Sequence, residues 1–463
     1  MIRDKSTSFF CGFCAALRQY CPRMGGNNLQ SAIGNPQLPR LAQLLLNWYS
    51  QNSRDLPWRR TGDPYAIWVS EIMLQQTQVK TVIPYWERWM RELPTIEAVA
   101  QASPGRIHKL WEGLGYYSRA RNLQKAAQQI VDNCRKRREK PPAEIRSPKS
   151  TIRNKSEAPH AVSCEFPNTF EEVLALPGIG RYTAGAVCSI AFNQPTPILD
   201  GNVIRVLTRI FGIGENPREK KTNARLWQLA EELVVHASRV TPHAAGSRTR
   251  TKDEDDWGAS HFNQSLMELG ALVCTPRQPG CFSCPAQKRC VAFRDNRIKE
   301  LPDLGPRTSV TARRFVAFVL GQDGRFFVRQ RPAGAVNGHL WEFPNVEVAG
   351  AAAGSAFKSL FGTRPPVLQP LVTIKHSITR YRITLEAFRA DLGGAGSASP
   401  RSKIRKSGTR GTRPSEIGVW LTPVQMDRLA FTSAHKKILA ELMRPAACRC
   451  HKKLASAAAD CIL

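Results

Sequence analysis

No apolar run in the 463-residue sequence reaches the ~18 residues that a membrane-spanning helix needs, so a helical membrane protein is excluded. Acid is the second shortage: 37 Asp and Glu stand against 67 Lys and Arg, a formal charge of +30. A field of that sign favours nucleic acid over acidic small molecules, because each neutralised phosphate releases counterions. A ribosome-like or simply soluble basic protein is the bland alternative on composition. A disulfide framework is missing too. The 13 cysteines are odd in number and unevenly placed, and four crowd between Cys274 and Cys290. That pattern implies a reducing compartment, cytoplasmic and nucleoid-associated if the source is bacterial, and a metal site. Phe9–Leu17 lacks the unbroken apolar core of a signal sequence. The length exceeds one typical core, so two or three domains are expected.

What is present is organised around Leu176–Arg205. Leu176-Pro177-Gly178-Ile179-Gly180 is an apolar turn with two glycines, Arg181–Ala191 follows with a helical pattern, and a proline-broken loop leads to Asp200-Gly201-Asn202. Glycine permits positive φ and close backbone approach, and amides freed at a helix N-terminus attract an anion. Such a loop holds a phosphate without reading a base, although an ordinary helix hairpin also favours glycine.

Upstream, residues 1–35 lack periodicity and read as a tail, or as sequence before a true start at Met24. Leu41, Leu44, Leu45, Trp48 and Tyr49 follow helical spacing, and Ala66–Val79 reads as a second helix with Glu71, Gln75 and Gln78 on one face. That face is either solvated surface or a polar site. Helices are expected again at Val82–Leu93, Ile107–Leu114 and Arg119–Asp132. Between the last two, Gly113-Leu114-Gly115-Tyr116-Tyr117 suits a loop that wedges a ring between bases, or an ordinary core aromatic. Basic, polar inserts are expected near 134–165 and 237–258, with helices at Asn202–Phe211, Asn223–Val235 and His261–Cys274 between and after them.

Cys274-x6-Cys281-x2-Cys284-x5-Cys290 departs from the paired knuckles of a structural zinc site and suits a 4Fe–4S cluster held by four thiolates. Residues 298–311 read as a linker. Beyond it the period shifts to strands at Phe315–Leu320, Arg325–Arg331 and Thr379–Arg389, with a turn at Asp323-Gly324 and a closing helix at Phe431–Met443. A further basic insert lies near 392–415 and a tail at 445–463.

Ser70–Val79 (SEIMLQQTQV), Gly113–Leu123 (GLGYYSRARNL), Leu176–Ala186 (LPGIGRYTAGA), Leu199–Val203 (LDGNV) and the cysteine cluster together resemble the adenine DNA glycosylases of the MutY type, over roughly Leu38–Met443. The resemblance implies an all-α helix-hairpin-helix glycosylase domain over 36–297 with a 4Fe–4S loop, followed by an α+β Nudix-like domain over 312–444. It implies a monomer acting on double-stranded DNA with A:8-oxoguanine or A:G mispairs, releasing the adenine and so preventing G:C to T:A transversions. Glu71 matches the family's general acid, Asp200 the carboxylate that stabilises the sugar cation, and Asn202 a residue that orients Asp200. Tyr182 stands where related endonuclease III-type enzymes have a Schiff-base lysine, so base removal without lyase activity is expected, with the hydroxyl near Asp200. Tyr116 and Gln76 match residues that fill or wedge the stack, Thr77 and Leu114 are further DNA- or lesion-binding positions, and Gly178 and Gly180 seat the backbone. The cluster ligands are Cys274, Cys281, Cys284 and Cys290. Ala351–Gly362 has no glutamate where a Nudix hydrolase holds Mg²⁺, so that domain is expected to read 8-oxoguanine through Thr379, in a loop (Ile378-Thr379-Arg380) that departs from the family's Phe-Ser-His.

Two rivals remain at this stage. An endonuclease III-like glycosylase/lyase shares the hairpin, the Asp and the cluster, but not Tyr182, Glu71 or the β-rich half. A non-enzymatic mismatch-binding protein has no use for both Glu71 and Asp200.

Overall fold

The computed structural model of the chain describes residues 37–139, 164–239, 258–306, 309–378, 380–392 and 418–444. The expected tails, most of the three basic inserts and Thr379 lie outside these residues. Between 37 and 294 the described residues form helices and no strands; strands begin with Thr311–Gln322.

The helical part has two cores. Leu38, Leu41 and Leu45 of the Gln37–Asn52 helix pack with apolar side chains of Gly201–Phe211, Lys220–Ser238 and Gly258–Leu272. The other core gathers Val82 and Trp89, Val99, Ile107, Trp111 and Leu123. Between them lies the Pro64–Leu74 helix, which gives Ile67 to the first core and Trp68, Val69, Ile72 and Met73 to the second. Every residue from Tyr65 to Met73 is buried. A helix apolar on all sides belongs in the interior, and this one carries Ser70 and Glu71 inside with it. Its start is well defined. Asp63 accepts from the Tyr65 and Ala66 amides at 3.0 and 3.3 Å, with Pro64 at the first helical position.

The expected single helix over 66–79 is wrong. It ends at Leu74, and a new helix, Val79–Glu92, begins after a turn in which Gln76 has φ 57°. The cause is remote in sequence: the Arg119 guanidinium takes the carbonyls of Ile72 and Met73, each at 3.0 Å, and that of Gln75. Carbonyls that a further helical turn would have paired are satisfied by a side chain instead. Glu71, Gln75 and Gln78 therefore do not share one helical face. Further on, Ser118–Glu139 runs past its expected end, so Arg135, Lys136 and Arg137 continue a helix rather than opening an insert.

The second part is a seven-stranded sheet of order β3-β2-β1-β6-β5, with β4 on β1 and β7 on β2. Its strands are β1 Thr311–Gln322, β2 Arg325–Gln330, β3 Trp341–Glu342, β4 Asn345–Glu347, β5 Gln369–Ile378, β6 Tyr381–Asp391 and β7 Val419–Leu421. β1 and β6 are parallel, and β5 pairs antiparallel with β6. Alternation along β1 sends Ala317 and Val319 to one face, over Ile438 and Phe431, and Val316, Phe318 and Leu320 to the other, over Phe357 and Phe361. β5 escaped the sequence reading because its alternation is diluted by Lys375, His376 and Ser377. The Ala353–Phe361 helix occupies the stretch noted for its lack of glutamate and packs by Ala356, Phe357 and Phe361. Leu340 and Ala430 of this part lie in the second helical core, so the two parts share apolar contact.

Candidate active site

A cavity of about 500 Å³ opens where the two helical cores meet, and Glu71, Gln75, Gln76, Tyr182, Asp200 and Asn202 are among its lining residues. This is a volume suited to a small planar ligand group. Glu71 is 5% exposed. Burial pushes its carboxyl up to about 7; the Tyr182 hydroxyl donates to Oε2 at 3.1 Å and pulls slightly the other way, while nearby Asp200 adds to the rise. Tyr182 therefore sits on Glu71 rather than on Asp200, the partner expected from sequence. Burial, then the charges of Glu71 and Asp200, raise the phenol well above its ordinary value, so it stays a donor. Its oxygen also lies 3.2 Å from Met267 Sδ.

Asp200 is the N-cap of the Gly201–Phe211 helix. Oδ1 accepts from the Val203 amide at 2.7 Å and Oδ2 from Asn202 Nδ2 at 3.0 Å. Burial raises the carboxyl, and the Val203 and Asn202 donors with the Arg205 charge oppose that rise. Arg205 fixes Asn202 in turn: Nη2 donates to Asn202 Oδ1 at 2.9 Å and to the Gly270 carbonyl at 2.7 Å, and Nε to the Cys274 carbonyl at 2.7 Å.

Sequence reasoning missed a charged wall of the same cavity. Glu268 receives Arg54 Nε and Nη2 at 2.8 and 2.7 Å and Arg59 Nη2 at 2.9 Å. Burial works to raise Glu268, but the two guanidiniums hold it down to about 2. Trp58 and Gln264 line the cavity beside them. The usable signal was a lone carboxylate inside the almost wholly buried Gly258–Leu272 helix; its partners lie more than 200 residues away, beyond any local pattern.

Beside the cavity, two non-glycine residues hold left-handed backbone, Gln76 at φ 57° and Tyr116 at φ 46°, and both are exposed. Arg119, 9% exposed, ties their loops together. Besides the three carbonyls before Gln76, it donates to those of Leu114 and Gly115 at 3.0 and 3.2 Å and to Thr77 Oγ1 at 3.3 Å. Its guanidinium lies 5.3 Å from the Trp111 ring centroid and 5.7 Å from that of Tyr116. Burial draws Arg119 down to about 10. Leu114 is buried in the helical core, beneath the loop rather than on its surface, and the Thr77 hydroxyl is engaged by Arg119. The two hairpin glycines also differ. Gly178 has φ +79° and a Cβ there would sit 2.6 Å from Asn122 Cβ, whereas Gly180 has ordinary φ of −101° and open space around it.

The four cysteines of the cluster motif line one further cavity, with Arg209 beside them. Arg209 Nη1 donates to Cys274 Sγ at 3.5 Å, and Cys290 Sγ donates to the Arg209 carbonyl at 3.4 Å. Burial, then the neighbouring sulfurs, push Cys284 up to about 12. Among the described residues no three His, Cys, Asp or Glu side chains converge closely enough for a single metal ion. Four cysteine side chains lining one cavity are the kind of donor set that holds a 4Fe–4S cluster. Also among the described residues, no helix is long and apolar enough to cross a membrane.

Comparison with known proteins agrees with this division. Residues 69–232 match the family model described as HhH-GPD superfamily base excision DNA repair protein, and residues 315–441 match that of the NUDIX domain. A Rattus norvegicus protein named adenine DNA glycosylase is 41% identical over 270 residues, which are 56% of this chain and 43% of that protein. The chain thus spans less than half the length of that relative. A Schizosaccharomyces pombe protein of the same name is 31% identical over 371 residues, covering 67% of this chain and 70% of that protein. A Buchnera aphidicola protein, again so named, is 33% identical over 308 residues, covering 66% of this chain and 75% of that protein. With relatives matched over most of their own length and the two domain families in the same chain, this protein belongs to the adenine DNA glycosylase family.

Proposed function

We propose that the chain hydrolyses the N-glycosidic bond of adenine mispaired with 8-oxoguanine or guanine in duplex DNA, and does so without lyase activity. The observation that carries this reading is the cavity in which a Glu71 carboxyl raised to about 7 faces the capped, hydrogen-bonded Asp200. Extruded adenine enters that cavity, where Trp58, Arg59 and Gln264 form part of the wall. With Oε2 accepting from Tyr182, Oε1 is the oxygen left to carry a proton to a ring nitrogen of the base. The bond from the sugar C1′ to the base then breaks, and its electron pair leaves with the adenine. Asp200 stabilises the oxocarbenium-like sugar, or traps it transiently, until water attacks C1′ and gives up a proton to a carboxylate. Asn202 keeps Asp200 aimed. Tyr182 offers no amine for a Schiff base, which supports a monofunctional reaction.

Tyr116 and Gln76, exposed and already strained, act as the wedge in the opened stack, and Gly178 and Gly180 seat the phosphate backbone. The sheet domain reads the opposite base, with Thr379 as the proposed lesion contact. The cluster held by Cys274, Cys281, Cys284 and Cys290 supplies no step of the hydrolysis; those residues shape a basic loop with Arg277, Lys288 and Arg289. The setting is a reducing compartment that holds DNA.

The test is single-turnover adenine release from duplexes carrying A opposite 8-oxoguanine, G or C, each split between alkali and no alkali. Fast release opposite 8-oxoguanine with nicks only after alkali is expected. Nicks without alkali, or an adduct trapped by borohydride, would support the lyase reading. Absence of release from every duplex would leave a binding protein.

A further inference from the structure

We infer that Glu112 is a positioning residue that couples the seat of the sheet domain to the Tyr116 loop, so that the base opposite the adenine influences how the wedge is held. The inference rests on the lesion-reading role proposed above.

Glu112 is 4% exposed and stands at the meeting of the two parts of the chain. Its Oε1 accepts from the Phe431 amide at 3.0 Å, and its Oε2 from Lys436 Nζ at 2.6 Å and Lys109 Nζ at 2.9 Å. Lys109 reaches across as well, donating to the Leu429 carbonyl at 3.1 Å. Burial works against the charge of Glu112, but Lys436, the Phe431 amide and Lys109 hold its carboxyl below the usual range. Leu340 and Ala430 add apolar contact between the two parts. Apolar contact is not directional, whereas a buried carboxylate with three donors admits one register, and losing a partner strands charge in low dielectric.

The position in sequence matters as much as the contacts. Gly113, the next residue, opens the loop that carries Tyr116. The Glu112 carbonyl accepts from Tyr85 Oη at 2.8 Å. At the loop's far end, Tyr117 Oη accepts from the Gly113 amide and donates to the Phe431 carbonyl, both at 3.4 Å. Both ends of the wedge loop are therefore anchored on the segment 429–436 of the sheet domain. Beyond the loop, Arg119 continues to the Gln76 turn and to the end of the helix that bears Glu71. A shift of the sheet domain on its seat has a route to the wedge through contiguous hydrogen bonds, one of the ways in which distant sites are coupled.

The experiment uses the full chain and two variants, Glu112→Gln and Lys436→Met. Lys436→Met spares the fold, because Glu112 keeps Lys109 and the Phe431 amide and the lysine is half exposed. Single-turnover adenine release is measured opposite 8-oxoguanine and opposite G, with thermal unfolding and the pH dependence of the rate in parallel. For Glu112→Gln the ratio of the two rates should fall about tenfold, a middling value for coupling between sites. Lys436→Met should lower the ratio by a smaller factor, and the A:G rate and the pH dependence should hold. Both rates falling by one common factor would make Glu112 merely structural and overturn the inference, as would an unchanged ratio. Equal rates in the parent itself would remove the lesion reading, and the coupling with it.

Discussion

Replacing Glu71 with Gln should kill adenine release and stabilise the protein, and the two effects have one cause. A carboxyl raised from 4.5 to about 7 is held in a place that disfavours its charge. The sign follows from linkage: a raised folded value contributes stability present below pH 4.5 and lost as pH rises through about 7. At about 1.36 kcal/mol per pH unit, the full gap amounts to about 3 kcal/mol. Gln cannot ionise, and its carbonyl can still accept from Tyr182. Parent and Glu71→Gln should therefore have equal stability near pH 4, diverge between about pH 4.5 and 7, and differ by about 3 kcal/mol at pH 8. Urea unfolding of both proteins across that range measures the difference. The parent's single-turnover rate should be level below about pH 6 and fall tenfold per pH unit above about 7. A variant no more stable than its parent at pH 8, or a parent rate flat to pH 8.5, would refute the buried-acid argument.

Tyr182→Phe removes a donor that lowers Glu71, so the alkaline fall of the rate should move to higher pH while the maximum drops. Gly178→Ala should cost about 2 kcal/mol of stability, from strained φ and the Asn122 clash, whereas Gly180→Ala should leave the melting temperature unchanged and weaken duplex binding in a mobility-shift titration. Arg119→Lys keeps the charge but not the fork; it should slow release from a closed duplex and be rescued by a bubble substrate that is already open, whereas loss of general folding would slow both equally. Cys281→Ser should abolish the brown visible absorption of the purified protein, and a colourless parent with bound zinc would refute the cluster assignment.

The legibility of the sequence tracks the range of the interaction responsible. Helix periodicity at Leu41, Leu45 and Tyr49 is a local signal and matches buried positions. So is the turn before Arg181, where the glycines and apolar residues act within a few positions. The break after Leu74 was invisible because no glycine or proline marks it; its cause is Arg119, which reads like any other arginine on a long helix. Glu268 was missed for the same reason, and so was Glu112, whose partner Lys436 lies 324 positions away. Leu114, beside exposed Tyr116, packs inward, which no local pattern shows. Resemblance supplied the candidate pair together with Tyr182 and Asn202; that Tyr182 bonds Glu71 and that Arg205 fixes Asn202 came only from three dimensions.

Asp200 combines two duties whose requirements differ. As a helix cap it supports folding through Val203, a task that Asn, Ser or Thr performs nearly as well. In the proposed reaction it is also the anion that faces the sugar, a duty for which those residues are no substitute. A library randomised at this one codon should therefore split under two selections. Screening for folded, expressed protein should return several small polar residues, whereas screening for suppression of mutation should return Asp alone. Position 200 is thus a place where the history of sequences under each pressure can be read apart.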